Sequence, residues 1–526
     1  MSRDFHLPGR STVIAGEAMA ATSHPLATLA AVEALRAGGN AVDAAVTAVA
    51  TLCVVEPAMT GIGGDCFCLV SEPGKPVWGY NGSGRAAARA STEALLAQGL
   101  KAIGTSIHAV TVPGAVEAWE AILKARGRFS LARALEPAIH YAENGFPVAA
   151  RVAADWLKQQ AKLAADPGAS RHYLFGKRPP AEGDVVRFPA LAATLRAIAK
   201  GGARAFYEGE IAADMAATLQ ARGSLLTLED FASHRGNPET PIATNYRGLE
   251  LVEIPPNGQG LTALVMLNIL EPFDLAALEP LGADRFHLML EAARMAFAVR
   301  DTHIADPAHM RVPVGALNDK AFAKTLAAKI DPRRRVALPD APTPGTDTVY
   351  LTVVDRDRMA VSLINSLFSG FGIGICTEKT GVMFNNRGAC FVLQPGHPNA
   401  FGPAKRPMHT IIPALAMKNG HCEMSFGVMG AHFQPMGHVQ MVLNLFDYGM
   451  DVQQAIDAPR AFFEGETTLV ERGMPAETIA GLRARGHTVE AVPEPWGGAQ
   501  AIRIDWARGV LLGGSEPRKD GCALGY

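Results

Sequence analysis

Residues 348–366 read Thr348-Val-Tyr-Leu-Thr-Val-Val-Asp-Arg-Asp-Arg-Met-Ala-Val-Ser-Leu-Ile-Asn-Ser366. Two runs rich in β-branched and aromatic residues, 348–355 and 360–366, flank a charged break, Arg356-Asp-Arg358. That is the pattern of a β-hairpin. A loop of those residues pairs Asp355 with Met359 and, counting back, sets Thr348 opposite Ser366. Directly opposed residues have Cβ atoms ~4.5–5.5 Å apart, so the two hydroxyls come within reach of each other. Immediately upstream lies a flexible stretch, Ala341-Pro-Thr-Pro-Gly-Thr-Asp347. A cut between Asp347 and Thr348 would leave a threonine holding a hydroxyl nucleophile and a free α-amine in one residue. The plainer reading is that Thr348 opens a strand and forms a cross-strand pair with a serine.

Upstream the texture is helix-rich with interspersed strands. Ala27 to Ala37 is an Ala/Leu-rich helix ended by Gly38-Gly39, and Asn40 caps a second helix, Ala41 to Cys53, with Asp43 in its first turn. A glycine-rich break, Gly61-Ile-Gly-Gly64, precedes a short strand at 66–70. Helical patterns recur at 114–125, 131–143, 148–165, 189–200, 209–222, 260–271 and 282–300. Residues 331–347, rich in Pro, Arg and Asp, read as an exposed linker. Beyond the hairpin come a loop-rich segment, Gln394 to Pro407, a strand at 411–417 and a helix at 437–446. This mixture of strand-rich and helix-rich segments predicts a layered α/β or α+β fold.

Bulk composition excludes several classes. The chain has 526 residues, is 48% hydrophobic and 19% charged, and carries a formal charge of −2. It therefore has no field for nucleic acid or an anionic membrane. The longest apolar run, 261–270, falls short of the ~20 residues of a membrane span. No apolar segment of a secretory signal follows the first residues, so a cytoplasmic protein is expected. Seven cysteines at irregular spacing suggest reduced, buried thiols, and Cys66-Phe-Cys68 is too tight for a zinc knuckle. His432 with His438 and His303 with His309 lack the i, i+4 spacing of a helical metal site, so neither a metal nor a cofactor is expected. There is no Gly-x-Ser-x-Gly elbow, and Gly370-Phe-Gly-Ile-Gly374 lacks the rest of a dinucleotide fingerprint.

The run 348–355 resembles the start of the small subunit of γ-glutamyltransferases (γ-glutamyltranspeptidases), members of the N-terminal-nucleophile hydrolases. The resemblance continues through Gly381-Val-Met-Phe-Asn-Asn386, Pro403-Ala-Lys-Arg-Pro407, Gly427-Val-Met-Gly430, 440–449 and Ala458-Pro-Arg460. In the first half it covers 15–25, 38–44, 56–64, Val112-Pro-Gly114, 255–260 and 291–297, so nearly the whole chain follows in order. The resemblance implies an α+β four-layer αββα sandwich formed jointly by two products of self-cleavage, 1–347 and 348–526. It implies a heterodimer of these, and allows a dimer of heterodimers. Thr348 would be the nucleophile, first on its own Asp347 carbonyl and then on a substrate amide. Its freed α-amine, with an unperturbed pKa near ~7.7–8.0, would serve as base. Ser366 falls where the family has a threonine bonded to the nucleophile. Gly430 and Ala431 fall where two glycines offer N–H groups to the oxyanion, and a backbone donor survives the change to Ala. His409-Thr410 stands in place of a Ser-Ser pair at the substrate pocket; a loop histidine without partners is the other reading of His409. Arg85, in Asn81-Gly-Ser-Gly-Arg85, matches the arginine that grips the substrate carboxylate.

The chain departs from the family around the substrate α-amine. Phe368 stands where γ-glutamyl enzymes commonly carry Asn, and Ala389 and Cys390 replace the expected acidic pair. An ammonium desolvated there would lack its partner. The expected substrate is therefore a small amide with a carboxylate and no α-amine, as in the oxamate amidohydrolase and glutaryl-type acylase branches. A glutathione hydrolase or γ-glutamyltransferase shares the same core machinery and is the alternative, followed by an inactive member that only binds. The short segment 394–407 predicts an open site.

Overall fold

The computed structural model describes residues 9–337 and 348–526. Asp347 and the rest of 338–347 lie outside them; of the expected linker only 331–337 is described. Two seven-stranded sheets form the centre. One runs in the order Val13–Ala15, Val510–Ser515, Gly498–Asp505, His421–Met429, Ala414–Lys418, Leu249–Glu253, Ile242–Tyr246. The other runs Cys522–Gly525, Met19–Thr22, Val349–Val354, Ala360–Ser366, Asp65–Ser71, Trp78–Gly82, Asn237–Glu239. Every pairing in both is antiparallel, and each sheet interleaves strands from before and after residue 348.

The hairpin has the register expected from its loop. Val349 pairs with Asn365 and Val354 with Ala360, and the Asp355 N–H donates to the Met359 carbonyl. Alternation then sorts its side chains. Leu351, Val353, Val361 and Leu363 face the helices, whereas Tyr350, Val354 and Ile364 face the other sheet. Both faces are covered, which is why the sequence reads as an almost unbroken apolar run rather than an alternating one.

Helices cover the outer face of each sheet. The helix Ala41–Val55 is buried along its whole length against the hairpin sheet. Asn40 Oδ1 accepts from the N–H groups of Val42 and Asp43, and Asp43 returns a bond to the Asn40 N–H at 2.8 Å. Gly38, at φ 91°, ends the preceding helix Pro25–Arg36. On the other side, the helices Gly260–Leu270 and Gln434–Val442 pack on the second sheet through a core that includes Met424, Phe426 and Val428. The result is the α+β sandwich with its layers in the order αββα.

Several boundaries move for local reasons. The strand expected at 411–417 begins at Ala414, because Pro413 has no N–H for a ladder. The helix expected over 437–446 starts earlier, at Gln434, with Pro435 in its first turn, and continues as a π-turn over Leu443–Asp447. The expected helix 148–165 is two, Ala150–Lys158 and Gln160–Ala164, broken at Gln159. All seven cysteines are free thiols, six of them buried.

Candidate active site

The hairpin delivers Thr348 and Ser366 to one end of its sheet. Thr348 Oγ1 lies 3.1 Å from Ser366 Oγ. Ser366 Oγ also accepts the Phe368 N–H at 2.8 Å. Close strand packing fixes this position: a Cβ at Gly64 would stand 2.3 Å from the Ser366 carbonyl oxygen, so only glycine fits there. Thr348 and Ser366 are both buried.

The facing sheet brings Gly430 and Ala431 to the same end. Thr352 bonds Ser425 at 2.6 Å, and the Tyr350 ring lies where a Gly427 side chain would be. From these contacts one strand runs back to Thr348 and the other runs on to Met429 and Gly430. There the backbone turns sharply, with φ 122° at Gly430 and 49° at Ala431, before the helix Gln434–Val442. Alanine rarely holds a positive φ. Here Gln259 braces it, donating through Nε2 to the carbonyls of Ala431 at 2.9 Å and Thr410 at 2.7 Å. Among the described residues, no turn or cap bond uses the Gly430 or Ala431 N–H.

Arg85 follows the strand Trp78–Gly82 and is half-exposed. Its Nη1 reaches Asp306 Oδ2 at 3.4 Å and the Ala404 carbonyl at 3.2 Å. His409 is not a surface loop residue without partners. It is fully buried, its Nε2 lies 3.0 Å from Asp65 Oδ2, and its Nδ1 accepts the Ile411 N–H. Nδ1 must then be the bare nitrogen, so Nε2 donates to Asp65. Burial, reinforced by Arg387, pushes its pKa down to about 3 against the opposing pull of Asp65, and the ring stays neutral. His409 thus sits behind the site rather than on its surface.

Thr410 accepts a bond from Arg387 Nη1 at 2.6 Å. The Arg387 guanidinium lies 4.4 Å over the Phe368 ring. Phe368 holds φ 82°, another left-handed residue, and lines a cavity of about 380 Å3 with Ala389, Cys390, Met408, His432 and Arg300. Arg300 Nη1 donates to Gln259 Oε1 and to His432 Nδ1. Burial and the charges of Arg300 and Arg387 hold His432 well below the ordinary histidine range. Arg387, Gln259, Arg300 and Asp65 belong to this hydrogen-bonded group and were not singled out by sequence reasoning, and His432 was weighed there only as a metal ligand. Arg387 alone left a trace there: a lone charge in the otherwise neutral stretch Asn385-Asn-Arg-Gly-Ala-Cys-Phe391.

The histidines weighed as metal ligands serve otherwise, His432 on Arg300 and His438 on Glu253 at 2.7 Å. Among the described residues, the group whose ligand atoms lie close enough for an ion is His287, Glu291 and His487. Its polar atoms already have protein partners: His287 meets His487 and the Asp331 carbonyl, His487 meets Thr468, and Glu291 meets Arg294 and the Val336 N–H.

Comparison with known proteins agrees with this geometry. The sequence profile of the family described as Gamma-glutamyltranspeptidase matches residues 27–526. The chain is 39% identical to the glutathione hydrolase-like YwrD proenzyme of Bacillus subtilis, over 98% of this chain and 99% of that one. It is 36% identical to the oxamate amidohydrolase proenzyme of Klebsiella pneumoniae, over 98% and 100% respectively. The fold is similar to that of a cephalosporin acylase from Bacillus halodurans, with a TM-score of 0.93 and 39% identity over 100% of this chain and 99% of that one. A hydroxyl pair at the hairpin end, the braced turn at Gly430–Ala431 and matches spanning the chain lead to one conclusion: this protein belongs to the gamma-glutamyltranspeptidase family of N-terminal-nucleophile hydrolases.

Proposed function

We propose that the chain is a precursor that cuts its own Asp347–Thr348 bond, and that Thr348 then hydrolyses a small amide bearing a carboxylate. The observation that carries this reading is the 3.1 Å contact between Thr348 Oγ1 and Ser366 Oγ. The α-amine freed at Thr348 takes the proton of Oγ1 as that oxygen attacks the amide carbon. The developing oxyanion lies against the N–H groups of Gly430 and Ala431, each such donor being worth ~2.7–4 kcal/mol in comparable sites. The ammonium then protonates the leaving nitrogen, the C–N bond breaks, and water resolves the ester left on Thr348. Arg85 anchors the substrate carboxylate. His409 acts from behind through Asp65, Thr410 fixes Arg387, and Phe368 closes the place where an amine would sit.

The names of the relatives, an oxamate amidohydrolase proenzyme and a cephalosporin acylase among them, support both processing and a carboxylate-bearing acyl group. The two products, 1–347 and 348–526, would stay together as a heterodimer in the cytoplasm, and a dimer of heterodimers is compatible with this arrangement. A glutathione hydrolase or γ-glutamyltransferase activity is the second reading, favoured by the 39% identity to a glutathione hydrolase-like protein.

A denaturing gel of fresh protein should show two bands near two-thirds and one-third of the mass. Thr348→Ala should give one band and no hydrolysis; full activity in that variant would remove Thr348 from the mechanism. Among oxamate, glutaryl-p-nitroanilide and γ-glutamyl-p-nitroanilide, one of the first two should be turned over best. Preference for the third would establish the second reading instead.

A further inference from the structure

Gln259 ties together segments that meet nowhere else in the sequence. Its backbone N–H donates to the His409 carbonyl at 2.9 Å. Its Nε2 donates to the carbonyls of Thr410 at 2.7 Å and Ala431 at 2.9 Å, which uses both of its hydrogens. Its Oε1 accepts Arg300 Nη1 at 2.7 Å, and the same nitrogen donates to His432 Nδ1 at 2.9 Å, one residue on from Ala431. Arg300 is itself fixed, by Asp301 Oδ1 at 2.7 Å from its Nε and by the Phe297 ring 4.4 Å below. Gln259 and Arg300 are both fully buried, so water does not stand in for these bonds. The joint matters because of what it holds. Ala431 sits at φ 49°, directly after Gly430 at φ 122°. A left-handed alanine crowds its Cβ against the following carbonyl, whereas glycine takes that conformation freely. Besides Gln259, the Ala431 carbonyl takes the Gln434 N–H, which closes the turn Ala431–Phe433. With both lone pairs engaged, the peptide after Ala431 has a fixed direction.

We infer that Gln259, locked by Arg300, is a positioning residue for catalysis: it keeps Ala431 in the left-handed conformation that aims its N–H at the oxyanion, and so offsets the presence of alanine where glycine would hold that turn unaided. The inference rests on the proposed hydrolase reading, in which the Gly430 and Ala431 N–H groups face the oxyanion. Gln259 acts through the backbone it holds. Its removal should therefore weaken a contact that exists only in the transition state, which lowers kcat and leaves KM in place. Gln259 and Arg300 precede residue 348 and the turn follows it, so under the proposed cut one product keeps the other's oxyanion turn in shape.

Gln259→Met removes both donors and keeps the bulk. In matured protein, assayed on whichever of oxamate, glutaryl- and γ-glutamyl-p-nitroanilide the wild type turns over best, it should lower kcat on the order of tenfold, the population cost of a left-handed alanine. KM should stay within about twofold. Gln259→Glu keeps an acceptor for Arg300 but offers the carbonyls no N–H, and should lose at least as much. In the Ala431→Gly background either replacement should cost less than about threefold, because glycine needs no brace. A merely structural role would lower both backgrounds alike, so equal losses overturn the brace. Wild-type kcat in a matured Gln259→Met or Gln259→Glu enzyme overturns it too. A Gln259 variant that stays as one band on a denaturing gel should give two bands once Ala431→Gly is added, and failure to do so counts against the brace in the same way. If the wild type hydrolyses none of the three compounds, the hydrolase reading falls instead.

Discussion

At Thr348 one hydroxyl contact separates a strand residue from a nucleophile. Ser366 Oγ lies 3.1 Å from the threonine oxygen and is itself held by the Phe368 N–H. Ser366→Ala should lower kcat by ~10²-fold, the low end for a positioned proton-transfer partner, while Ser366→Thr should recover most of it. Steady-state kinetics on matured protein decides; equal rates in the Ala and Thr variants would make the contact incidental. The contact of Thr348 with Ser366 was legible because the hairpin that makes it is a short local pattern. Arg387, Gln259 and Asp65 were not, because their roles exist only where segments from residues 65, 259, 387, 410 and 431 meet. His409 shows the same limit. Its neighbours in sequence suggested a pocket residue, and only the fold shows the buried Asp65 behind it.

Elements with strong local signals were readable almost to the residue. The hairpin 349–366 kept its register because a short charged loop between two apolar runs allows little else. The helix Ala41–Val55 began where Asn40 and Asp43 predicted, through a reciprocal cap. Asn40→Ala should cost ~0.5–2 kcal/mol of stability, read as a lowered urea midpoint with unchanged m-value. A larger loss would mean that the Asn40 Nδ2 bond to the Arg126 carbonyl, at 2.7 Å, carries more than the cap. Errors gathered where a single residue overrides a periodic pattern, as Pro413 does for its strand and Gln159 for its helix. Periodicity cannot register such a break, since the apolar positions on either side remain in phase.

Buried histidines give the whole molecule an acid-sensitive contribution to stability. Burial pushes His24 down to about 4, and His234 and His487, like His409, to about 3, from an ordinary 6.5. Each binds a proton in the unfolded chain below pH 6.5 but not in the fold until far lower. Stability from these groups is therefore complete above pH 6.5 and lost as the pH falls through it. Carboxyls raised by burial work the other way, taking up protons in the fold first: Glu56, pushed up to about 7, and Glu239, Glu253, Asp355, Asp457 and Asp520 in the same direction. Among the described residues His234 has no hydrogen-bond partner on either nitrogen, and its ring stacks on Tyr207. His234→Phe should narrow the gap between urea midpoints at pH 7 and pH 5; an equal gap would rule out a contribution from this ring.

The interleaved sheets also set an order in time. The strand Val349–Val354 lies between Met19–Thr22 and Ala360–Ser366, and the C-terminal strand Cys522–Gly525 closes on Met19–Thr22. Neither piece holds either seven-stranded sheet complete. A chain severed before residue 348 holds its shape only by never having lost it. If the two pieces part, their reunion becomes a collision between strangers at their actual concentration, instead of the closure of a tether. The proposed cut before Thr348 would remove the covalent link across which both seven-stranded sheets assemble.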